Sequence, residues 1–263
     1  MRFSVAHRTS YAYTAPAQYT VQTLRLTPRT EPHQRVLRWQ LAAPGAPAES
    51  IDAFGNIAHL LTLNVPHESL SIEARGVIEV DALRDGRLVD DGTLPVLTYA
   101  AVTALTRAEE DVREFAARWL RGQSSTALLD FANAICDAVE YETGTTHVAS
   151  TAAQALRLKR GVCQDHAHLF IAGCRAHGIA ARYVSGYTHD GTATQSATHA
   201  WVDAWIDGSG WTSIDVTHRQ LASDSLCRLA IGRDYDSAGP VRGMRVGGGE
   251  ESMTVRVSIR PES

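Results

Sequence analysis

The stretch of sequence that decides the fold is GVCQDHAHL, residues 161–169. Gly161 ends the helical pattern before it, and a new helix is predicted to begin near Cys163. Apolar residues then recur at offsets of 4, 7, 8 and 11 from Cys163: Ala167, Phe170, Ile171 and Cys174. Since these offsets lie on one face of a helix, the pattern predicts a buried face with Cys163 at its amino-terminal end.

The two cysteines of this helix differ in their surroundings. Cys174 lies in mid-helix among apolar neighbours and is expected to be inert. Cys163 lies in the first turn, where free N–H groups and the positive end of the helix dipole stabilise a thiolate. Because the thiolate is the attacking form of cysteine, Cys163 is the candidate nucleophile.

A thiol nucleophile needs a base and a group that orients the base. The sequence THAWVDAWI, residues 198–206, alternates as a half-buried strand does, with His199, Trp201, Asp203 and Trp205 on one face. Residues 207–210, DGSG, predict a turn, and the returning strand carries Asp215. His199 is therefore the candidate base and Asp215 the candidate orienting group.

The length of the hairpin loop decides whether His199 and Asp215 can meet. Their numbers sum to 414, an even value, so a loop of odd length puts both residues on one face of the ladder. A 206–208 loop would pair them directly, and a 207–209 loop would make them diagonal neighbours. A four-residue loop would separate them unless a bulge intervened. Asp203 is the rival orienting group, but four residues along one strand place it roughly 13 Å from His199.

A metal site is the main alternative chemistry for the motif. Cys163, His166 and His168 together offer zinc-type ligands, but positions 166 and 168 point about 200° apart on a helix and do not converge on one ion. The sequence has no calcium-loop pattern of the D-x-[DN]-x-[DN]-G type. We therefore expect no metal and no cofactor.

Composition excludes several classes of protein. With 44% hydrophobic residues in 263, the chain is globular rather than disordered. Its 25 basic and 29 acidic residues provide no electrostatic reason to expect nucleic acid or an anionic membrane as partner. Four cysteines without a CxxC pair predict reduced thiols rather than a disulfide framework. With no signal peptide and no apolar run of about 18 residues, the expected location is the cytoplasm.

The order of predicted elements indicates an α+β protein of two domains. Short alternating segments punctuated by Pro28, Pro32, Pro44 and Pro47 predict an N-terminal β-sandwich domain over residues 1–85. Residues 86–106 are the expected linker. Helical patterns at 109–121 and 125–139 then precede the motif helix and a further set of strands. Residues 107–263 are therefore predicted to form helices packed on an antiparallel sheet.

Several motifs in this order resemble the transglutaminase-like branch of the papain-type cysteine enzymes. They are GVCQDHAHL at 161–169, SGY at 185–187, THAWVDAWI at 198–206 and GWTSIDVTH at 210–218. Residues 7–13, 24–29 and 52–56 are similar to the β-domain that precedes this core in bacterial members, and residues 232–235 and 240–243 are similar to their tail. The resemblance implies a Cys163 nucleophile, a His199 general base and acid, and an Asp215 orienting group.

The residues and the resemblance together indicate a thiol-dependent amide-bond enzyme that forms a thioester. It would be a cysteine peptidase or amidase, or a protein-glutamine acyl transferase; its partners would be a peptide or protein substrate and, for transfer, an amine. The candidate substrate-binding residues are Trp201, Tyr187 and His166, the last at a position where the resemblance leads us to expect an aromatic side chain. The alternative function is a catalytically silent module that binds a peptide in the same cleft.

Overall fold

The computed structural model of the chain describes residues 1–89, 92, 94–189 and 197–262, without the side chain of Ala197. Its helices are α1 (Glu110–Trp119), α2 (Ser125–Ala138), α3 (Ala152–Leu158), α4 (Cys163–Ala176) and α5 (Tyr235–Ala238). Its strands are β1 (Arg2–Thr27), β2 (Gln34–Ala42), β3 (Ala48–Ile51), β4 (Ile57–Leu63), β5 (His67–Val80), β6 (Glu140–Tyr141), β7 (Arg160–Gly161), β8 (Ala181–Thr188), β9 (Ala197–Ile206), β10 (Gly210–Asp215), β11 (Gln220–Leu221), β12 (Leu226–Gly232), β13 (Val241–Gly247) and β14 (Glu251–Pro261).

The first sheet is a half-barrel organised around β1. Over residues 2–13 this strand lies between β5 and β14, and over residues 17–27 it lies between β4 and β13. The strands are thereby linked in one hydrogen-bonded sheet, in which β1 belongs to both four-stranded sections. The predicted α+β class with a sheet-rich N-terminal part is confirmed.

Residues 14–19 of β1 mark a change in which side chains point inward. Before them the buried positions are odd-numbered, from Phe3 to Tyr13, and after them they are even-numbered, from Thr20 to Leu26. The ladders shift register in the same place, between Ala12 and Tyr19. Because side chains alternate with period two, the irregularity keeps both halves of the strand facing the same core.

The second sheet carries the motif strands and has the order β11-β10-β9-β8-β12. Helix α4 packs on its face, and α1, α2 and α3 surround α4. Fully buried Phe131, Phe170, Ala172 and Val202 belong to the core between the helices and the sheet. Among the described residues, no helix combines the length and apolar character needed to cross a membrane.

Two amide side chains of the N-terminal part bind the outer edge of β12. The Gln34 amide donates to the Arg228 carbonyl at 2.9 Å and accepts from the Arg228 N–H at 2.7 Å. Asn56 forms the same pair of bonds with Ile231, at 2.7 and 2.9 Å. Since these side chains satisfy backbone groups that an edge strand leaves unpaired, they attach the half-barrel to the second sheet.

The chain returns to the first sheet at its end. Residues 241–261, which the sequence-based boundaries assign to the second domain, pair with β1 as β13 and β14. In the stretch expected to be a linker, Leu88 and Tyr99 are buried against Trp211 of β10. The half-barrel therefore contains segments from both ends of the chain, and the cleft described below lies next to the returning strands.

Candidate active site

Asp165 holds the turn that leads into α4. Its Oδ2 accepts a hydrogen bond from the Val162 N–H at 2.8 Å and another from the Thr146 hydroxyl at 2.7 Å. Gly161 packs directly against this carboxylate, since a Cβ at that position would stand 2.7 Å from Asp165 atoms. The glycine and the acid of the motif therefore fix the direction in which Cys163 enters the helix.

Cys163 is the first residue of α4, and its side chain is partly exposed. The N–H groups of Cys163 and Gln164 belong to the first helical turn, whose donors have no acceptor within the helix. Such donors can stabilise an oxyanion formed beside the sulfur. Burial raises the pKa of the other three thiols, those of Cys136, Cys174 and Cys227.

The hairpin places His199 and Asp215 on one face, as predicted for a loop of odd length. Trp211 pairs with Trp205 and Gly210 with Ile206, so the loop is 207–209 and the two site residues are diagonal neighbours. Gly208 and Gly210 have φ of 76° and 85°, in the left-handed region that favours glycine in tight turns. The His199 Nε2–H donates to Asp215 Oδ2 at 2.9 Å.

The contacts of His199 favour its charged form. Burial lowers the pKa of this ring, but hydrogen bonds to Asp215 and to Cys163 outweigh burial and raise the pKa to about 10. Burial raises the pKa of Asp215, yet hydrogen bonds from His199 and His218 hold it well below the usual range for aspartate. The site is therefore built to hold an imidazolium between a carboxylate and a sulfur.

His218 is a second imidazole on the same carboxylate. Its Nδ1–H donates to Asp215 Oδ2 at 2.7 Å, and its backbone N–H donates to Asp215 Oδ1 at 3.2 Å. The rings of His199 and His218 lie 5.0 Å apart. Ligand atoms of His199, Asp215 and His218 lie within 4.8 Å of one another, so within the described chain these side chains could converge on a metal ion. Their hydrogen bonds to one another already use the same atoms.

A cleft of about 260 Å³ opens beside Cys163 and His199. One wall comes from the second sheet and α4, with Tyr183, Ser185 and Gln164. The opposite wall comes from the half-barrel and from the returning strands: His7, Thr9, Tyr11, Val241, Met253 and Val255. Alternation along β1 indicates that Thr9 and Tyr11 share a face, but no local pattern shows that this face meets a cleft.

Tyr187, Trp201 and His166, the predicted substrate-binding residues, do not line the described part of the cleft. Tyr187 is fully buried between the two sheets, with its hydroxyl 2.9 Å from His7 Nδ1. Trp201 is 1% exposed and stacks behind His199, with ring centroids 6.0 Å apart. His166 bonds the Val139 carbonyl at 3.0 Å and the Thr217 hydroxyl at 3.1 Å. Of the three, Trp201 contacts His199, and Tyr187 contacts His7 of the cleft wall.

Asp203, the rival orienting group, belongs to a buried network of charges. It accepts from Arg182 at 2.7 Å and from two nitrogens of Arg228 at 3.0 and 2.7 Å. Arg228 also pairs with Glu31 of the N-terminal part at 3.1 Å. Burial raises the pKa of Asp203, but Arg228 and Arg182 hold it well below the usual range. The network joins β9, β8 and β12 to the half-barrel.

Replacing Asp203 with alanine is expected to destabilise the fold strongly. The change leaves Arg182 and Arg228 buried without their shared carboxylate, which typically costs about 3–5 kcal/mol. Thermal unfolding should show a fall in Tm on the order of 10 °C for a chain of this size. Exposed Asp130 on α2 provides the control, since its alanine variant should differ from wild type by less than about 0.5 kcal/mol. Equal Tm values for the two variants would contradict the structural role of the network.

Comparison with known proteins agrees with this architecture. The family model described as the transglutaminase-like superfamily matches residues 113–216, and the model for the bacterial transglutaminase-like N-terminal region matches residues 3–79. An uncharacterized protein of Mycobacterium leprae is 31% identical over an alignment of 290 positions, which covers 98% of this chain and 98% of the relative. The chain belongs to the transglutaminase-like superfamily.

Further relatives of this transglutaminase-like protein match over nearly the whole chain. An uncharacterized protein of Mycobacterium tuberculosis is 30% identical over 291 residues, covering 99% of this chain and 93% of the relative. A crystal structure from Cytophaga hutchinsonii, described as a "putative cysteine protease", has a TM-score of 0.81 at 22% identity. It covers 99% of this chain and 90% of its own, so the two share the fold, half-barrel included.

Proposed function

We propose that this transglutaminase-like protein is a thiol-dependent amide-bond enzyme in which Cys163 is the nucleophile, His199 the general base and acid, and Asp215 the orienting group. The observation that carries the proposal is the arrangement of His199. Its Nε2–H is held by Asp215 at 2.9 Å, and its other side contacts the Cys163 sulfur at the end of an open cleft. A thiolate beside an imidazolium is the reactive form of such a pair.

The first half of the reaction forms a thioester. The Cys163 sulfur donates an electron pair to the carbonyl carbon of an amide, and the carbonyl oxygen becomes an oxyanion near the N–H groups of the first turn of α4. His199 gives the proton on Nδ1 to the leaving nitrogen as the C–N bond breaks. The amine or ammonia departs, and the acyl group stays on sulfur.

The second half releases the acyl group. His199, now neutral at Nδ1, takes a proton from water or from an amine, whose lone pair attacks the thioester carbonyl. The C–S bond then breaks and regenerates the thiolate beside the imidazolium. Water makes the enzyme a peptidase or amidase, and an amine makes it a protein-glutamine acyl transferase.

The products formed by the wild-type protein test this proposal. We would incubate the protein with a glutamine-containing peptide, with and without a primary amine such as cadaverine, and analyse the mixture by mass spectrometry. Peptide fragments indicate peptidase activity, ammonia with a glutamate product indicates amidase activity, and a cadaverine adduct indicates transfer. If a broad set of peptides gives none of these products, the proposal is wrong; binding of the same peptides without conversion would then favour the silent peptide-binding module.

A further inference from the structure

A second cavity of about 300 Å³ continues the cleft away from Cys163 along the half-barrel. The two cavities share Tyr11, Tyr235, Val241 and Met253 as walls. The second is lined by β1, β13 and β14, with Gln22 and Gly243 among its walls. A chain bound at Cys163 can therefore pass directly from one cavity into the other.

The floor of this groove is an uncovered part of the half-barrel's inner face. Tyr11 pairs with Met253 and Thr9 with Val255, so these side chains point to the same side of the sheet as the buried core. Met253, a wall of both cavities, and Val255, a wall of the cleft, are nevertheless 58% and 43% exposed. Apolar side chains left open beside a nucleophile suit an apolar ligand.

Gln22 supplies a polar group in this groove. Its side chain is only 7% exposed, and its Oε1 finds no hydrogen-bond donor among the described residues. Gly243 lies opposite it in the ladder, and a Cβ on Gly243 would stand 2.7 Å from Gln22 Cγ. The glycine leaves room for the amide over β13. Since a buried acceptor without a partner is costly, a ligand N–H that meets it gains affinity.

The charges at the far end of the groove are already paired. Arg245 binds Glu251 at 3.0 Å and lies over the Tyr13 ring, and Arg242 binds Asp236. The groove therefore offers a ligand an apolar floor and an amide acceptor rather than a free charge. This environment favours a neutral ligand with backbone N–H groups over a charged one.

We propose that the acyl donor of this enzyme is an extended, neutral segment of polypeptide that lies along β13, with its backbone N–H bonded to Gln22. From Val241 to Arg245 the strand advances four residues, about 13 Å, so the groove holds roughly four residues of extended chain beyond those in the cleft. The role of this segment as acyl donor rests on the function proposed above, whereas its binding in the groove does not.

The test uses the Cys163→Ala protein, in which binding is measured without turnover. The probes are a fluorescein-labelled short peptide, Ala-Gln-Gly, and two longer ones that carry Val-Ala-Leu-Ala before or after it. Fluorescence anisotropy should show one longer peptide binding about tenfold more tightly than the short one. Adding Gln22→Leu should remove most of this gain, whereas Gln40→Leu, at an exposed position of β2, should leave it intact.

Equal affinities for the short peptide and both longer peptides would overturn the inference. So would equal binding of a peptide with Glu-Ala-Glu-Ala in place of the neutral extension, because the groove is then not selective for a neutral segment. Turnover of the same peptides by the wild-type protein separates the two proposals. A longer peptide that binds in a Gln22-dependent way but is never converted supports the groove and contradicts the enzyme.

Discussion

Alanine in place of Cys163 is expected to lower kcat roughly 10⁶-fold, the loss typical of removing the nucleophile from such a catalytic unit. The change takes away the atom that forms the thioester, and no other group in the described cleft is arranged to replace it. Ser185 also lines the cleft, but its hydroxyl donates to the Ala238 carbonyl at 2.6 Å. The measurement is the initial rate with any peptide that the wild-type protein converts.

Cys136→Ala is the matched control for the loss of a thiol. Cys136 is also partly exposed, but its sulfur donates to the Val216 carbonyl at 3.0 Å, and it lies outside the cleft. Its variant should keep wild-type kcat. Circular dichroism of both variants should match the wild-type spectrum, because Cys163 contributes little buried apolar surface. Retention of activity by Cys163→Ala would end the thioester mechanism.

Replacing Asp215 with alanine is expected to lower kcat/KM about 10³- to 10⁴-fold, by analogy with removal of the orienting carboxylate from other triads. The His199 ring would lose the acceptor that holds its Nε2–H and would be free to turn away from the sulfur. The larger effect should fall on kcat, because substrate contacts the cleft rather than Asp215. Asp215→Asn removes the charge but keeps an oxygen that can accept from His199, as the asparagine of papain-like enzymes does, so its loss should not exceed that of Asp215→Ala.

Asp215→Ala should also shift the pH dependence of kcat/KM toward lower pH. In the wild-type protein hydrogen bonds raise the pKa of His199 to about 10, so the alkaline limb of kcat/KM should lie far above pH 7. Without Asp215, burial lowers the pKa of His199 with less to oppose it. The alkaline limb should therefore move to lower pH. The raised pKa also stabilises the folded protein below about pH 6.5, a contribution that is lost as the pH rises toward 10. An unmoved alkaline limb in Asp215→Ala would contradict the assigned role.

Local periodicity was sufficient to predict how His199 and Asp215 are placed relative to each other, whereas the resemblance implied that Cys163 acts with them. The alternation of residues 198–206 and the parity of a 207–209 loop place His199 and Asp215 on one face, and the structure has that loop. The start of α4 at Cys163 follows from Gly161 and the apolar stripe. Distance along one strand also separated Asp203 from His199, and the structure shows Asp203 bound to two arginines instead.

Local periodicity could not show whether the predicted substrate-binding residues face the cleft. Tyr187 and Trp201 have the pattern of residues that could face a cleft, yet the half-barrel covers Tyr187, and Ala222 and Leu226 cover Trp201. His166 is buried, with hydrogen bonds to the Val139 carbonyl at the end of α2 and to the Thr217 hydroxyl. Periodicity assigns a side chain to a face, but which distant segment covers that face depends on contacts between residues far apart in sequence.

The sequence by itself therefore determined the α+β class, from the order of its elements, and the start of the helix at Cys163. It also predicted that a loop of odd length would put His199 and Asp215 on one face, because that relation depends on spacing within about twenty residues. Only the tertiary structure decided that residues 241–261 return to β1, that Thr9 and Met253 face the nucleophile, and that Gln22 lies in a groove beside it. These features arise where segments from both ends of the chain meet in the half-barrel and where the half-barrel packs on the second sheet. Their position is set by the burial of apolar surface between segments that no local pattern relates.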